Sequence, residues 1–295
     1  MPAGFGVETN DAAATDAPAE TTLVTVIVVT LGERDSLRTA LESVAMQTHR
    51  PTECVVVCDH PLAHIEVPTG SLVAFRVLRH SLTQGPGAAR NTGMAAAQGD
   101  LVTFLDDDDR LHPERVEWAV TEIGPQRMHA VRAEGGDSSG RRFEGSMVDT
   151  LLAGSFPLTG QVVFRRDDLL QFDPTLRIGE DTEWWIRMRG RAHFAWHDQI
   201  GVFVHPRDTP RAGVAADTRL RCVEQILLRH ADALSRDRRV LARYRRMAAG
   251  SAIEAGHRMR GLRWAVRSFL AWPSVYMLKQ VGLALWPRSR PARNA

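Results

Sequence analysis

The sequence predicts an α/β fold, a mostly parallel sheet with helices on both faces, followed by an α-helical extension. Three observations predict it. Short, β-branched apolar runs recur at residues 23–30, 53–58 and 101–105, and continuous apolar runs of this length suit strands buried on both faces. Segments with helical periodicity separate them, so the order reads β-α-β-β-α-β, the alternation of a layered α/β domain. Beyond residue 211 the pattern turns helical and Arg-rich.

Residues 1–21 are rich in Ala, Thr, Pro and acids without periodicity, which predicts a disordered tail. The run LVTVIVVT at 23–30 opens the sheet. Asp35 or Ser36 is placed to cap the next helix, in which Leu37, Ala40, Leu41, Val44 and Ala45 share one face. The run at 53–58 is the second strand and ends at Asp59; residues 72–78 form the third. Residues 85–97, GPGAARNTGMAAA, make a small-residue helix that can lie close to a sheet. The strand at 101–105 runs into Asp106, Asp107, Asp108 and Asp109. An amphipathic helix after Pro113, a strand at 128–133 and a Gly/Ser/Arg-rich loop at 134–146 follow. The remainder reads as a strand at 161–165, a short helix at 167–171, a helix opening at 179, strands at 192–197 and 201–204, and helices over 218–230 and 236–256. No internal repeat is visible.

The chain has 295 residues, 44% hydrophobic, enough for one large domain with a smaller one appended. Its net charge of +2 hides an asymmetry: residues 219–295 carry 17 basic and 4 acidic residues, a net of +13. Three cysteines give neither a disulfide framework nor zinc spacing, which fits a reducing cytoplasm. The N-terminal stretch has no basic region followed by an apolar core, so no signal peptide is expected. Residues 268–286 are apolar but interrupted by Pro273 and Lys279. Trp264, Trp272, Tyr276 and Trp286 lie there among arginines. That composition suits a helix packed on the domain or lying at the inner membrane face better than one that spans the bilayer. Nucleic acid is not an expected partner, because the basic residues form no recognition motif.

The four adjacent carboxylates are the strongest chemical signal. Like charges 4 Å apart repel by roughly 4 kcal/mol in a surface-like dielectric. They either fan into solvent or are neutralised, and Mg²⁺ or Mn²⁺ is the usual cation for carboxylate and diphosphate oxygens. Ligands of open α/β sheets bind beyond the carboxyl ends of the strands, which is where this run falls.

Four motifs in order resemble the GT-A glycosyltransferases of family 2, which transfer sugars with inversion. They are Val26 to Arg34 with the helix ending Ala45-Met46-Gln47-Thr48; Val55 to Asp59; Gly85-Pro86-Gly87-Ala88-Ala89-Arg90-Asn91-Thr92-Gly93 running into the acidic cluster; and Gly179-Glu180-Asp181, followed by Val204-His205. The resemblance implies a GT-A (Rossmann-like) domain over about 22–210 and a helical Arg-rich extension over 211–295. It implies that Asp106 and Asp107 contact the nucleotide sugar, that Asp106 and Asp108 bind a divalent cation, Mn²⁺ or Mg²⁺, and that His205 is a further metal ligand. Asp109 is given a turn or capping role. Thr30 and Glu33 line the nucleotide, and Asp59 accepts from the base. Cys58 stands where the family commonly has another acid. Arg90 lies near the donor phosphates or sugar, although a lone helical Arg also suits an ion pair at the sheet edge. Asp181 is the expected catalytic base and Glu180 its neighbour, orienting acceptor or loop; both acids also favour a helix N-terminus. Trp184 and Trp185 suit either sugar stacking or the core. The implied partners are a nucleoside diphosphate sugar and a glycan or lipid-linked acceptor. Two rivals are a nucleotidyltransferase, which would carry a Gly-rich loop where Leu31-Gly32-Glu33-Arg34 stands, and a degenerate nucleotide- or glycan-binding domain, which Cys58 motivates.

Overall fold

The computed structural model describes residues 22–32, 35–135, 141–146, 148, 154, 156–205 and 215–273. The expected tail, Glu33 and most of the apolar segment at 268–286 lie outside them. Four strands form the first half of the sheet: β1 (Val24–Thr30), β2 (Thr52–Cys58), β3 (Ala74–Arg79) and β4 (Leu101–Asp106), all parallel in the order β3-β2-β1-β4. Val26, Ile27, Val28, Val55, Val56 and Val57 are all fully buried, as a sheet covered on both faces requires. Two helices cover it, α1 (Ser36–Ala45) and α2 (Pro86–Ala96). The expected cap of α1 is absent. Asp35 makes no capping bond, and the Ser36 hydroxyl instead donates to the Asp107 carbonyl at 2.9 Å.

The small residues of α2 have a packing reason. A Cβ on Gly93 would run into the Ile27 side chain of β1. Gly93→Ala is therefore expected to cost about 1–3 kcal/mol by overpacking, read as a lower urea midpoint at unchanged slope. An unchanged midpoint would contradict this close helix–sheet contact.

The second half of the sheet is mixed. It contains β5 (Arg110–Leu111), β6 (Met128–Glu134), β7 (Gly145–Ser146), β8 (Val162–Arg165) and β9 (His193–Phe203). The full order is β3-β2-β1-β4-β8-β6-β9-β5, with β7 on β9. The β4–β8, β6–β8, β5–β9 and β7–β9 ladders are antiparallel, and β6–β9 is parallel. Two late strands were expected, at 192–197 and 201–204. They are one, β9, because register shifts around Arg132 absorb the polar interval near Asp198. The expected helix at 167–171 is only a single turn at Arg166–Asp168.

Two further helices among the described residues are α3 (Arg115–Glu122) and α4 (Glu180–Met188). The start of α4 pins an aromatic core. Trp184 and Trp185 are fully buried. Trp184 stacks on Phe172 at 4.7 Å, meets Phe104 and Phe164 edge-on, and donates from Nε1 to the Leu170 carbonyl at 2.6 Å. Neither ring has a face left for a sugar, so the Trp pair is core.

Among its described residues the extension has four helices: α5 (Ala216–Arg229), α6 (Ala231–Ser235), α7 (Arg238–Glu254) and α8 (Arg258–Ala271). Asp237 caps α7 by accepting from the Arg239 amide at 2.7 Å. Leu220, Val223, Ile226 and Leu227 pack with Val240, Tyr244 and Ala248 and against Leu176 and Ile186. The extension is thus seated on α4 through an apolar core. No helix among the described residues is long and apolar enough to cross a membrane.

Candidate active site

The carboxyl ends of β1 and β4 carry the first group of side chains. The Thr30 hydroxyl donates to Asp107 Oδ2 at 2.6 Å and accepts from the Gly32 amide at 2.8 Å, so it fastens the turn after β1 to the acidic loop. The Asp109 amide donates to the Asp106 carbonyl at 3.1 Å. That turn folds the acids back, and carboxylate oxygens of Asp106, Asp108 and Asp109 lie within 4.8 Å of one another. Asp108 and Asp109 are only 9% and 6% exposed. An all-oxygen set gathered in this way fits a hard divalent cation. Asp106 and Asp108 come together as expected, but the third member is Asp109. His205 reaches the cluster through its backbone, the amide donating to Asp109 Oδ1 at 3.1 Å. Its imidazole is not in the gathered set. The signal for Asp109 was present: an i to i+3 turn at a strand end brings first and fourth residues together.

The second group sits across from it on α4. Gly179 takes the left-handed conformation, φ +73°, and opens the helix with Glu180 and Asp181. Arg90, reaching up from α2, joins the two groups. Its Nη1 donates to Glu180 Oε1 at 2.8 Å and its Nη2 to Asp106 Oδ1 at 3.1 Å. Both Arg90 and Glu180 are 7% exposed. Burial works against the arginine's charge, but Asp106, Glu180 and Asp181 outweigh it and hold its pKa above the ordinary arginine value. Burial, then the charge of Asp181, pushes the Glu180 pKa up, and the bond to Arg90 opposes them. Asp181 is half-buried, with Oδ1 accepting from the Thr182 amide at 2.6 Å. Its charge bears on Arg90 on one side and on Tyr244 of α7 on the other, so it stands at the seam between domain and extension. Asn91 supports this arrangement. Its side chain both donates to and accepts from Phe172, at 2.9 and 2.7 Å, and so staples the segment leading to α4 onto α2.

Asp59 is deeply placed, 3% exposed. Its Oδ1 accepts from His80 Nδ1 at 2.7 Å and the Gln84 amide at 2.8 Å, and its Oδ2 from the Gly85 amide at 2.7 Å. The carboxylate therefore shapes the loop into α2. Cys58 is buried, its thiol directed at the His60 carbonyl at 3.4 Å.

A second cluster, Glu122, His129 and His197, looks like a metal set but is a hydrogen-bond network. Arg115 Nη1 lies 3.2 Å from His129 Nδ1. A guanidinium only donates, so Nδ1 accepts and the ring proton sits on Nε2, which donates to Glu122 at 3.2 Å. Burial, Arg115 and His197 push the His129 pKa down to about 2, so the ring is neutral, and its one lone pair, on Nδ1, is taken up by Arg115. The network ties α3 to β6 and β9.

Comparison with known proteins agrees with this architecture. The family model described as glycosyl transferase family 2 matches residues 25–189, more than half of the chain. The chain is 30% identical to the succinoglycan biosynthesis protein ExoO of Rhizobium meliloti, over 88% of its own length and 79% of that protein. It is 33% identical to the glycosyltransferase GlyA of Streptococcus pneumoniae over 34% of its own length, 15% of that protein. Among solved structures, TarS 1–349 of S. aureus in complex with UDP-GlcNAc aligns with a TM-score of 0.60 at 17% identity, covering 85% of this chain and 82% of that one. The mannosyltransferase PcManGT of Pyrobaculum calidifontis, in complex with GDP-Man and Mn²⁺, aligns at 0.52 and 17% identity over 92% and 89%. With a GT-A sheet, acidic residues gathered at the end of β4 and a family match that runs from β1 through α4, the chain belongs to glycosyltransferase family 2.

Proposed function

We propose that the protein transfers a sugar, with inversion, from a nucleoside diphosphate sugar to a hydroxyl of a glycan or lipid-linked acceptor. Asp181 is the general base, and Asp106, Asp108 and Asp109 hold a divalent cation. The observation that carries this reading is the Arg90 bridge, which sets the acids of β4 and the acids of α4 on opposite sides of one guanidinium. Inverting transfer needs that division, because the base must act on the face opposite the leaving diphosphate. Asp181 takes the acceptor proton as the acceptor oxygen bonds to the anomeric carbon. The bond from that carbon to the diphosphate oxygen breaks, and its electron pair leaves with the nucleoside diphosphate. A bound cation would supply positive charge to the departing diphosphate. Thr30, Asp59, Asp107 and Arg90 form the donor side. Glu180 is a positioning residue that holds Arg90 between the two groups.

The named relatives support the donor class, since two solved GT-A structures were obtained with UDP-GlcNAc and with GDP-Man and Mn²⁺. ExoO is named a succinoglycan biosynthesis protein, and a glycan precursor is the corresponding acceptor here. Work at the inner membrane face of the cytoplasm fits the extension: Met259, Val266, Leu270 and Trp272 are exposed on or just beyond α8, among arginines that suit anionic head groups.

Thermal shift with UDP, GDP, dTDP and CDP, each with and without Mn²⁺, tests the reading. One nucleotide should stabilise the protein, and more strongly with Mn²⁺. Asp108→Asn and Asp109→Asn should each lose the Mn²⁺-dependent part, by roughly 10-fold or more in apparent Kd, as expected when a hard cation loses a charged oxygen ligand. Stabilisation by no nucleotide, or by all four equally without Mn²⁺, would sink the proposal.

A further inference from the structure

His80 is a buried side chain that no step of the transfer uses. It directly follows β3, and its amide donates to the Cys58 carbonyl at 3.0 Å, so the sheet already fixes its backbone. The residue is 7% exposed. Its Nδ1 donates to Asp59 Oδ1 at 2.7 Å, and its Nε2 shares a hydrogen bond with the Thr92 hydroxyl at 2.9 Å. Thr92 lies on α2, the helix that carries Arg90. One imidazole therefore spans from the acid after β2 to the helix whose arginine bridges Asp106 and Glu180.

We propose that His80 is a positioning residue for donor binding: it aims the Asp59 carboxylate at the base of the nucleoside diphosphate sugar and sets that acid relative to Arg90. The inference rests on the reading of Asp59 as the acid that accepts from the base. The loop into α2 does not need the ring, because the Gln84 and Gly85 amides already tie it to Asp59 at 2.8 and 2.7 Å. What the ring adds is a further donor on Oδ1, which restrains rotation of the carboxylate. Being held at both nitrogens, the ring has one orientation, and α2 fixes it. The Asp59 amide in turn donates to the Thr30 carbonyl at 2.8 Å, and the Thr30 hydroxyl braces Asp107. A chain of contacts thus runs Thr92–His80–Asp59–Thr30–Asp107 across the carboxyl ends of β2, β1 and β4, where an open α/β sheet takes its ligand. A hydrogen bond weakens steeply when its angle is poor, so the direction in which this acceptor points governs the affinity for the base.

Calorimetric titration of the full chain with UDP, GDP, dTDP and CDP, each with Mn²⁺, selects the tightest diphosphate. Pyrophosphate with Mn²⁺ is the probe without a base. Two substitutions separate the two ends of the ring. The amide nitrogen of asparagine falls near the imidazole Nδ1 position and that of glutamine near Nε2. His80→Asn therefore keeps the bond to Asp59, and His80→Gln keeps only the one to Thr92. His80→Gln should weaken the nucleoside diphosphate by roughly 10-fold or more, the scale of one hydrogen bond to a charged group. His80→Asn should stay close to wild type. Both should bind pyrophosphate as the wild type does, which also reports that they are folded. In transfer assays the His80→Gln loss should fall on the donor KM and leave kcat nearly unchanged. Asp59→Asn should weaken the nucleoside diphosphate too, and adding His80→Gln to it should cost little more, because both act through one contact. Equal weakening of nucleoside diphosphate and pyrophosphate by His80→Gln, or equal losses from the two His80 substitutions, makes the ring a structural link and overturns the inference. A loss with Asp59→Asn and none with His80→Gln also overturns it, and leaves the reading of Asp59 standing. Wild-type affinity in Asp59→Asn removes that reading and the inference together.

Discussion

Asp181→Asn lowers kcat by roughly 10²- to 10⁴-fold, the usual contribution of a positioned general base, and leaves nucleotide binding unchanged. The substitution is isosteric. The amide oxygen still accepts from Thr182 N–H, the 2.6 Å bond that orients the side chain at the start of α4, so the fold and the local helix geometry persist. What disappears is the capacity to take a proton. Because the loss falls on the chemical step, kcat should fall at least as far as kcat/KM. A folded variant with full transfer activity would move the base elsewhere. Glu180→Gln provides the contrast: it touches Arg90 rather than the acceptor, so its effect should be smaller and should include weaker donor binding.

Arg90→Met is the second large effect, and it is one of stability. Removing one partner of a buried ion pair costs about 3–5 kcal/mol, because the other charge stays buried without compensation. The contact to Asp106 adds little to this, since that side chain is 36% exposed and screened by water. The pH dependence follows from Glu180. Its pKa is already raised by burial, and Arg90 is the group that restrains it. Without Arg90 it rises further above its ordinary value of about 4.3. A carboxyl whose folded pKa is raised contributes stability that is fully present below its unfolded pKa and lost as pH climbs through its folded one. The deficit of Arg90→Met should therefore be largest near neutrality and shrink as pH falls towards 5. Urea unfolding at pH 7 and pH 5 measures this, and an equal deficit at both values contradicts the buried pair. Adding Glu180→Gln to Arg90→Met should recover most of the loss.

The half of the fold that precedes the acidic cluster was legible because each element stands alone in sequence. β1, β2 and β4 are buried on both faces, so they appear as unbroken apolar runs. α1 exposes one face and shows it as periodicity. The second half depends on long-range pairing. β9 was divided at Asp198 because alternation fails there, and only its register with β6 shows that the interval is a bulge inside one strand. The site was legible as residue types and only partly as relations. Asp106, Asp108 and Asp181 could be named as candidates from the motifs that resemble the family, but the place of Asp109 in the cluster depends on a turn. The Arg90–Glu180 pair spans 90 residues, and no local pattern reveals it. The same holds for Ser36, which gives up its helix cap to brace Asp107. Trp184 and Trp185 had two readings, and the partners that decided them, Phe104, Phe164 and Phe172, come from three separate segments.

The claim that one carboxylate on α4 drives a single displacement is tested most directly by the anomeric configuration of the product. With an α-linked nucleoside diphosphate sugar as donor, proton NMR of the freshly formed glycoside should show the β anomer alone. An α-linked product would contradict the division of labour between Asp181 and the acids of β4.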